Sequence, residues 1–197
     1  MTLNPRTALR GCAIALVASG VAVGVITAAP AHSSSAAAAQ SSRVPPADES
    51  SVDAAGRLAN APNIVIDTPE NFDSARLITD YASVVATANR IAQDVPVPLT
   101  GKVSDIDWAQ LGSLTAAQIQ GFIEFNASCD WYAYLQQVSA SGDERSLGLA
   151  QRVIASVPNW PTMRLQERGV HAQAVAHDAA HNDVDAVGRF TLTNCAQ

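Results

Sequence analysis

The stretch from Thr115 to Ser139 constrains the fold of this 197-residue chain more than any other. Thr115-x-x-Gln118 has the spacing of a capping box, in which two side chains reciprocally satisfy backbone donors at a helix start. Behind it, Ile119, Phe122, Ile123, Phe125, Cys129, Trp131, Tyr132, Tyr134, Leu135 and Val138 leave almost no polar side. A helix that is apolar nearly all round is stable only with partners packed on several faces. In a chain that is 5% aromatic, this segment alone holds one of three Trp, two of three Tyr and two of four Phe. It reads as the central helix of a bundle.

Other helices follow from spacing and stop signals. Thr68 is an N-cap candidate, with Pro69 at the first helical position and Glu70 in the first turn. Phe72, Ala75, Ile78, Tyr81, Ala82, Val85, Ala88 and Ile91 then recur at helical spacing until Pro96 and Pro98. Residues 100–114 read as a loop or short helix carrying Trp108 and Leu111. Gly142-Asp143 ends the central helix and starts a shorter one with Leu147, Leu149, Ala150, Val153, Ile154 and Val157, stopped at Pro158. Asn159-Trp160-Pro161-Thr162 is a turn, and Thr162 caps a last helix to about Gly188, which has C-cap chemistry. On that continuous helix Asp183 would fall among Ala and Val, where an unpaired carboxylate is costly. Either the helix bends or ends near Asn182, or Asp183 pairs with an arginine. The expected fold class is all-α, a small bundle of four main helices.

The N-terminal third reads differently. Arg6 and Arg10 precede an apolar stretch from Cys12 to Ala29, and Ala29-Pro30-Ala31 is a small-x-small cleavage site. Residues 1–31 are therefore expected to be an export signal. An uncleaved N-terminal anchor is the alternative, and would be the only contact with a membrane. Residues 32–62, with their Ser/Ala tract and Pro45-Pro46, read as a low-complexity, disordered linker. Residues 63–197 are the expected helical domain. Beyond residue 31 there are ten basic and eighteen acidic residues, so the formal charge moves from −6 to −8. That balance argues against nucleic acid as a partner. Eleven Arg against one Lys, with 37 Ala, reads as high-GC coding bias rather than function.

Two cysteines remain beyond the signal, Cys129 and Cys195. In an oxidising compartment the expectation is a structural disulfide between them; a redox-active pair needs closer spacing. The pattern Cys129-x-Trp131, then Gly142-Asp143, then Pro158-x-Trp160-Pro161-x-x-Arg164 resembles uncharacterised small exported actinobacterial proteins. The resemblance covers about residues 115–164. It implies an exported helical domain and brings no activity with it.

Few residues have a pattern that suggests chemistry. His177 and His181 lie one turn apart on the last predicted helix, with Asp178 and Asp185 bordering that face and His171 at its edge. Two imidazoles with a carboxylate can hold Zn²⁺ and leave a fourth position open, and imidazole can also ligate haem iron. Equally, the polar face of a surface helix is where His and Asp belong. Asn126 and Asp130 stack four apart on the central helix and form a candidate buried polar site, with Arg164 or Arg76 as counter-ion. Trp108 and Trp160 either make a binding surface or cap the ends of the core. There is no Gly-x-Ser-x-Gly, no His-Glu-x-x-His and no Gly-rich phosphate loop. The functional expectation is a non-enzymatic cell-envelope or extracellular protein that binds a protein or small ligand. Metal or haem binding through His177 and His181, with Asp185 or His171 assisting, comes second, and a hydrolytic enzyme third.

Overall fold

A computed structural model describes residues 47–61, 76–98 and 106–195. The export signal expected over 1–31 and the helix start expected at Thr68 both lie outside the described residues. In chain order the elements are α1 (Ser50–Ala59), β1 (Leu77–Ile78), α2 (Tyr81–Ala92), α3 (Trp108–Leu111), β2 (Leu114–Thr115), α4 (Ala116–Ser141), α5 (Glu144–Ser156), a 3₁₀ turn (Val157–Asn159), α6 (Gln166–Ala180) and α7 (Val184–Asn194). The described part of the molecule is thus mostly helical.

The central helix forms where its sequence places it. The Thr115 side chain accepts from the Gln118 amide at 3.2 Å, and the Gln118 side chain accepts from the Thr115 amide at 2.8 Å. The capping box is complete. At the far end Gly142 takes a left-handed conformation (φ 72°), and Asp143 caps α5 through the amides of Arg145 and Ser146. Helix α4 then packs against α2, α5 and α7. Trp131, Tyr134, Leu135, Ile119 and Ile123 are fully buried, together with Leu149, Val153 and Ile154 of α5. Inside this core Trp131 Nε1 donates to the Pro96 carbonyl at 3.0 Å. Among the described residues no helix is long and apolar enough to cross a membrane.

Three boundaries differ from expectation, each because a partner distant in sequence supplies a contact. The linker expected over 32–62 does not persist to its end, because α1 buries Ala55 and Leu58 and packs on α5. The Ala47 amide donates to the Tyr134 hydroxyl (2.8 Å), and Glu49 meets Arg152 at 3.1 Å, so the start of this segment is fastened too. Helix α2 begins at Tyr81: the Asp80 carboxylate accepts from the Ser83 amide, while Leu77 and Ile78 pair with Thr115 and Leu114. The hydrogen bonds to Ser83 hold the Asp80 carboxyl below its usual range. Thr162 does not cap α6, since its hydroxyl turns inward to Glu124.

The last predicted helix is two helices. Asn182 adopts φ 58°, a conformation Asn tolerates better than most residues, and Asp183 Oδ1 accepts from the Ala186 amide at 2.9 Å to start α7. The bend foreseen near Asn182 is thus the answer to the position of Asp183. Gly188 is not a C-cap; it lies inside α7, where the missing side chain leaves room for the Gln136 side chain of α4. Cys195 follows α7 and bonds to Cys129 of α4, with their Cα atoms 5.6 Å apart. The tail is tied to the central helix, as the cysteine count implied.

Candidate functional site

Glu124 is the one fully buried carboxylate among the described residues. It sits on α4, one turn beyond Gln120, whose side-chain amide donates to Oε1 at 2.6 Å. Oε2 accepts from the Thr162 amide (2.8 Å), the Thr162 hydroxyl (2.5 Å) and the Met163 amide (3.3 Å). A single side chain thereby caps the Trp160–Arg164 turn that leads into α6. Burial raises the Glu124 carboxyl above its ordinary value, and the hydrogen bonds from Thr162, Gln120 and Met163 offset part of that rise. The cluster is closed to solvent, so its chemistry is structural: it locks a turn to the core helix. The sequence signal for it was a carboxylate between Ile123 and Phe125 on the most apolar helix of the chain.

The polar pair expected nearby is placed otherwise. Asn126 and Asp130 are half-buried, and the Asn126 side chain donates to the Phe122 carbonyl one turn back. Arg164, offered as a counter-ion, donates to the Ala61 carbonyl at 3.2 Å. Trp160 is fully buried and gives its indole N–H to Ser156 Oγ at 3.0 Å, so it belongs to the core rather than to a binding surface. Trp108 is half-buried, edge-on to Phe122 with ring centroids 6.3 Å apart.

The four metal candidates do not assemble into one set. The turn at 181–183 carries Asp185 onto a different helix, and His171 lies beside Phe190, with ring centroids 6.2 Å apart. Among the described residues no group of three or more His, Cys, Asp or Glu could hold a metal ion. What the fold does bring together is His177 and His181. Their rings stack with centroids 4.2 Å apart and 30° between planes. His181 Nδ1 lies 2.8 Å from the His177 carbonyl oxygen, and His177 Nδ1 lies 3.5 Å from Asp178 Oδ1.

A surface groove of about 350 Å³ opens between β1 and the first turns of α2. Thr79, Ser83 and Thr87 supply hydroxyls along it, Arg76 and Asp80 one charge of each sign, and Leu77, Ile78 and Ala86 apolar wall. Leu77 is 57% exposed, and Tyr81, next to Asp80, is 60% exposed. No protein-family model, no curated protein and no solved structure matches the chain.

Proposed function

We propose that this chain is an exported, non-catalytic binding protein of the cell envelope or extracellular space, and that it recognises its ligand in the groove beside α2. The observation that carries this reading is the groove itself. It places a row of hydroxyls and a pair of opposite charges beside two large apolar side chains that are left in solvent. Few convergent polar groups against an apolar wall is the usual make-up of a binding site. The mixture suits a small polar molecule or a short polar segment of a partner protein. Glu124, the carboxyl that burial perturbs most plainly, is occupied by four donors inside the core and has no route to a substrate. Export is supported by the N-terminal charge and hydropathy pattern and by the use of the two remaining cysteines in a disulfide.

The test is a screen of amino acids, short peptides and sugars against the isotope-labelled chain by amide chemical-shift mapping. A ligand of the groove shifts the signals of residues 76–87 and loses its effect in Thr87→Arg, which fills the groove from its half-buried wall. Shifts that map elsewhere, or that persist in Thr87→Arg, refute the assignment. Mass spectrometry of protein from the culture medium tests export separately: the expected species begins at His32 and is two hydrogens lighter than its reduced form.

A further inference from the structure

We infer that His177 and His181 form a two-imidazole chelate for a divalent transition-metal ion at the C-terminal end of α6. The inference does not depend on the groove. Residues four apart on a helix share a face, and here the last turn of α6 and its C-cap bring the two rings to 4.2 Å between centroids. Stacking alone would be unremarkable on a polar helix face. The second observation is what each ring does with its other nitrogen. A backbone carbonyl can only accept, so the 2.8 Å contact to the His177 oxygen puts the proton of His181 on Nδ1. Its Nε2 is then the lone-pair nitrogen. His177 Nδ1 faces the Asp178 carboxylate at 3.5 Å, which favours the same tautomer. Metal-ligating histidines characteristically give their second N–H to a carboxylate or a backbone carbonyl, and this pair shows one of each.

The ring spacing fits an ion. Zn–N bonds of ~2.0–2.1 Å in a tetrahedral site put two ligating nitrogens about 3.3 Å apart, a separation compatible with rings whose centroids lie 4.2 Å apart. Imidazole pairs suit Zn²⁺, Ni²⁺ and Cu²⁺ rather than Mg²⁺ or Ca²⁺, which take oxygen. With two protein ligands, water fills the remaining positions. His177 is 70% exposed, so the ion enters directly from solvent. Bound there it crosslinks the last turn of α6 to its cap and stiffens the turn that leads to α7.

The purified full-length chain titrated with Zn²⁺ in a calorimeter should bind one ion, and thermal unfolding should shift upward with added Zn²⁺. His177→Ala and His181→Gln should each weaken binding at least tenfold, more than Asp178→Asn, whose indirect role is worth roughly 10-fold or less at this distance. All three variants should keep the parent's circular-dichroism spectrum, because both rings are exposed and the Asp178 side chain is only partly buried. In the parent, Zn²⁺ should move the ring proton signals of His177 and His181 and leave those of His171 in place. Absence of binding at millimolar Zn²⁺ overturns the assignment, and so does binding that survives His177→Ala with His181→Gln, because the ion then sits elsewhere.

Discussion

Replacing Glu124 by alanine removes an acceptor that four donors share at a fully buried position. The Thr162 hydroxyl and the Gln120 amide can turn toward other acceptors. The backbone amides of Thr162 and Met163 cannot, since the turn fixes them. A buried donor left without a partner costs ~1–3 kcal/mol, so two give about 2–6 kcal/mol. Some of this is returned because a carboxyl held out of water no longer has to be. A net loss of about 2–4 kcal/mol is expected, a large part of the ~5–15 kcal/mol that keeps a domain folded. Glu124→Gln is the informative partner variant. Its carbonyl oxygen still accepts from Thr162, and its amide can donate to a Gln120 side chain turned by half a rotation, so the expected change at neutral pH is within about 1 kcal/mol. Urea unfolding followed by circular dichroism measures both.

The pH dependence follows from the same geometry. Burial lifts the folded-state carboxyl above 4.5, so between that value and its folded value the native state binds more protons than the unfolded one. Stability from this group is therefore complete below the unfolded value and is lost as pH rises through the folded one. Glu124→Gln should remove that segment of the profile and leave the rest parallel to the parent. If alanine costs no more than glutamine, or if the glutamine variant keeps the parent's profile through this window, Glu124 does not hold the Thr162 turn and the argument fails.

Two further outcomes are expected. Opening the Cys129–Cys195 bond, which spans 66 residues, should cost up to ~4 kcal/mol on the chain-entropy model; because that loss is global, hydrogen exchange should show it in the slowest-exchanging amides of α4 and α5 as well as in α7, and an unchanged core of α4 and α5 would contradict this. Asn182→Ala and Asn182→Gly both lose the bond from Gln151, but Ala, at φ 58°, should cost ~1–2 kcal/mol more than Gly by thermal unfolding; equal effects would mean that the left-handed turn is not under strain.

What was legible in the chain and what was not divides by range. The capping box at Thr115 and the stop and start at Gly142-Asp143 are written within four residues, and both form as read. Asn182-Asp183 is the same signal with Asn in place of Gly. It was harder to read because His177, Ala179, Ala180 and Ala186 carry a helical pattern straight through it. Helix α1 could not be foreseen from residues 50–59, since Ala55 and Leu58 are worth burying only once α5 offers them a surface. The β1–β2 pairing joins residues on either side of α2, and the bonds of Glu124 to Thr162 cross 38 positions. Of the candidate site residues, the His pair was readable because helical spacing alone places one ring over the other. Asp185 falls beyond the turn, and spacing alone does not distinguish Glu124 from Asp130, because which face of α4 is sealed depends on helices far along the chain.

Helix α6 is held at its two ends by different neighbours. At its start, Glu124 of α4 fixes the turn before Gln166. At its end, Gln151 of α5 donates to the Ala179 carbonyl at 2.9 Å and to the Asn182 side chain at 2.8 Å. The Ala179 carbonyl, which also accepts from the Asn182 amide at 3.2 Å, thus ties the end of α6 to α5, and the second bond holds the Asn182 side chain. His177 and His181 flank Ala179 in sequence, about 16 and 22 Å along the helix from Gln166 at ~1.5 Å per residue. Sites farther apart than ~7–10 Å without a shared partner act almost independently. The buried carboxyl and the imidazole pair therefore belong to separate parts of the molecule, although one helix carries the consequences of both. Gln151, unremarkable in the sequence, is the residue through which α5 holds the end of α6 that carries the two imidazoles.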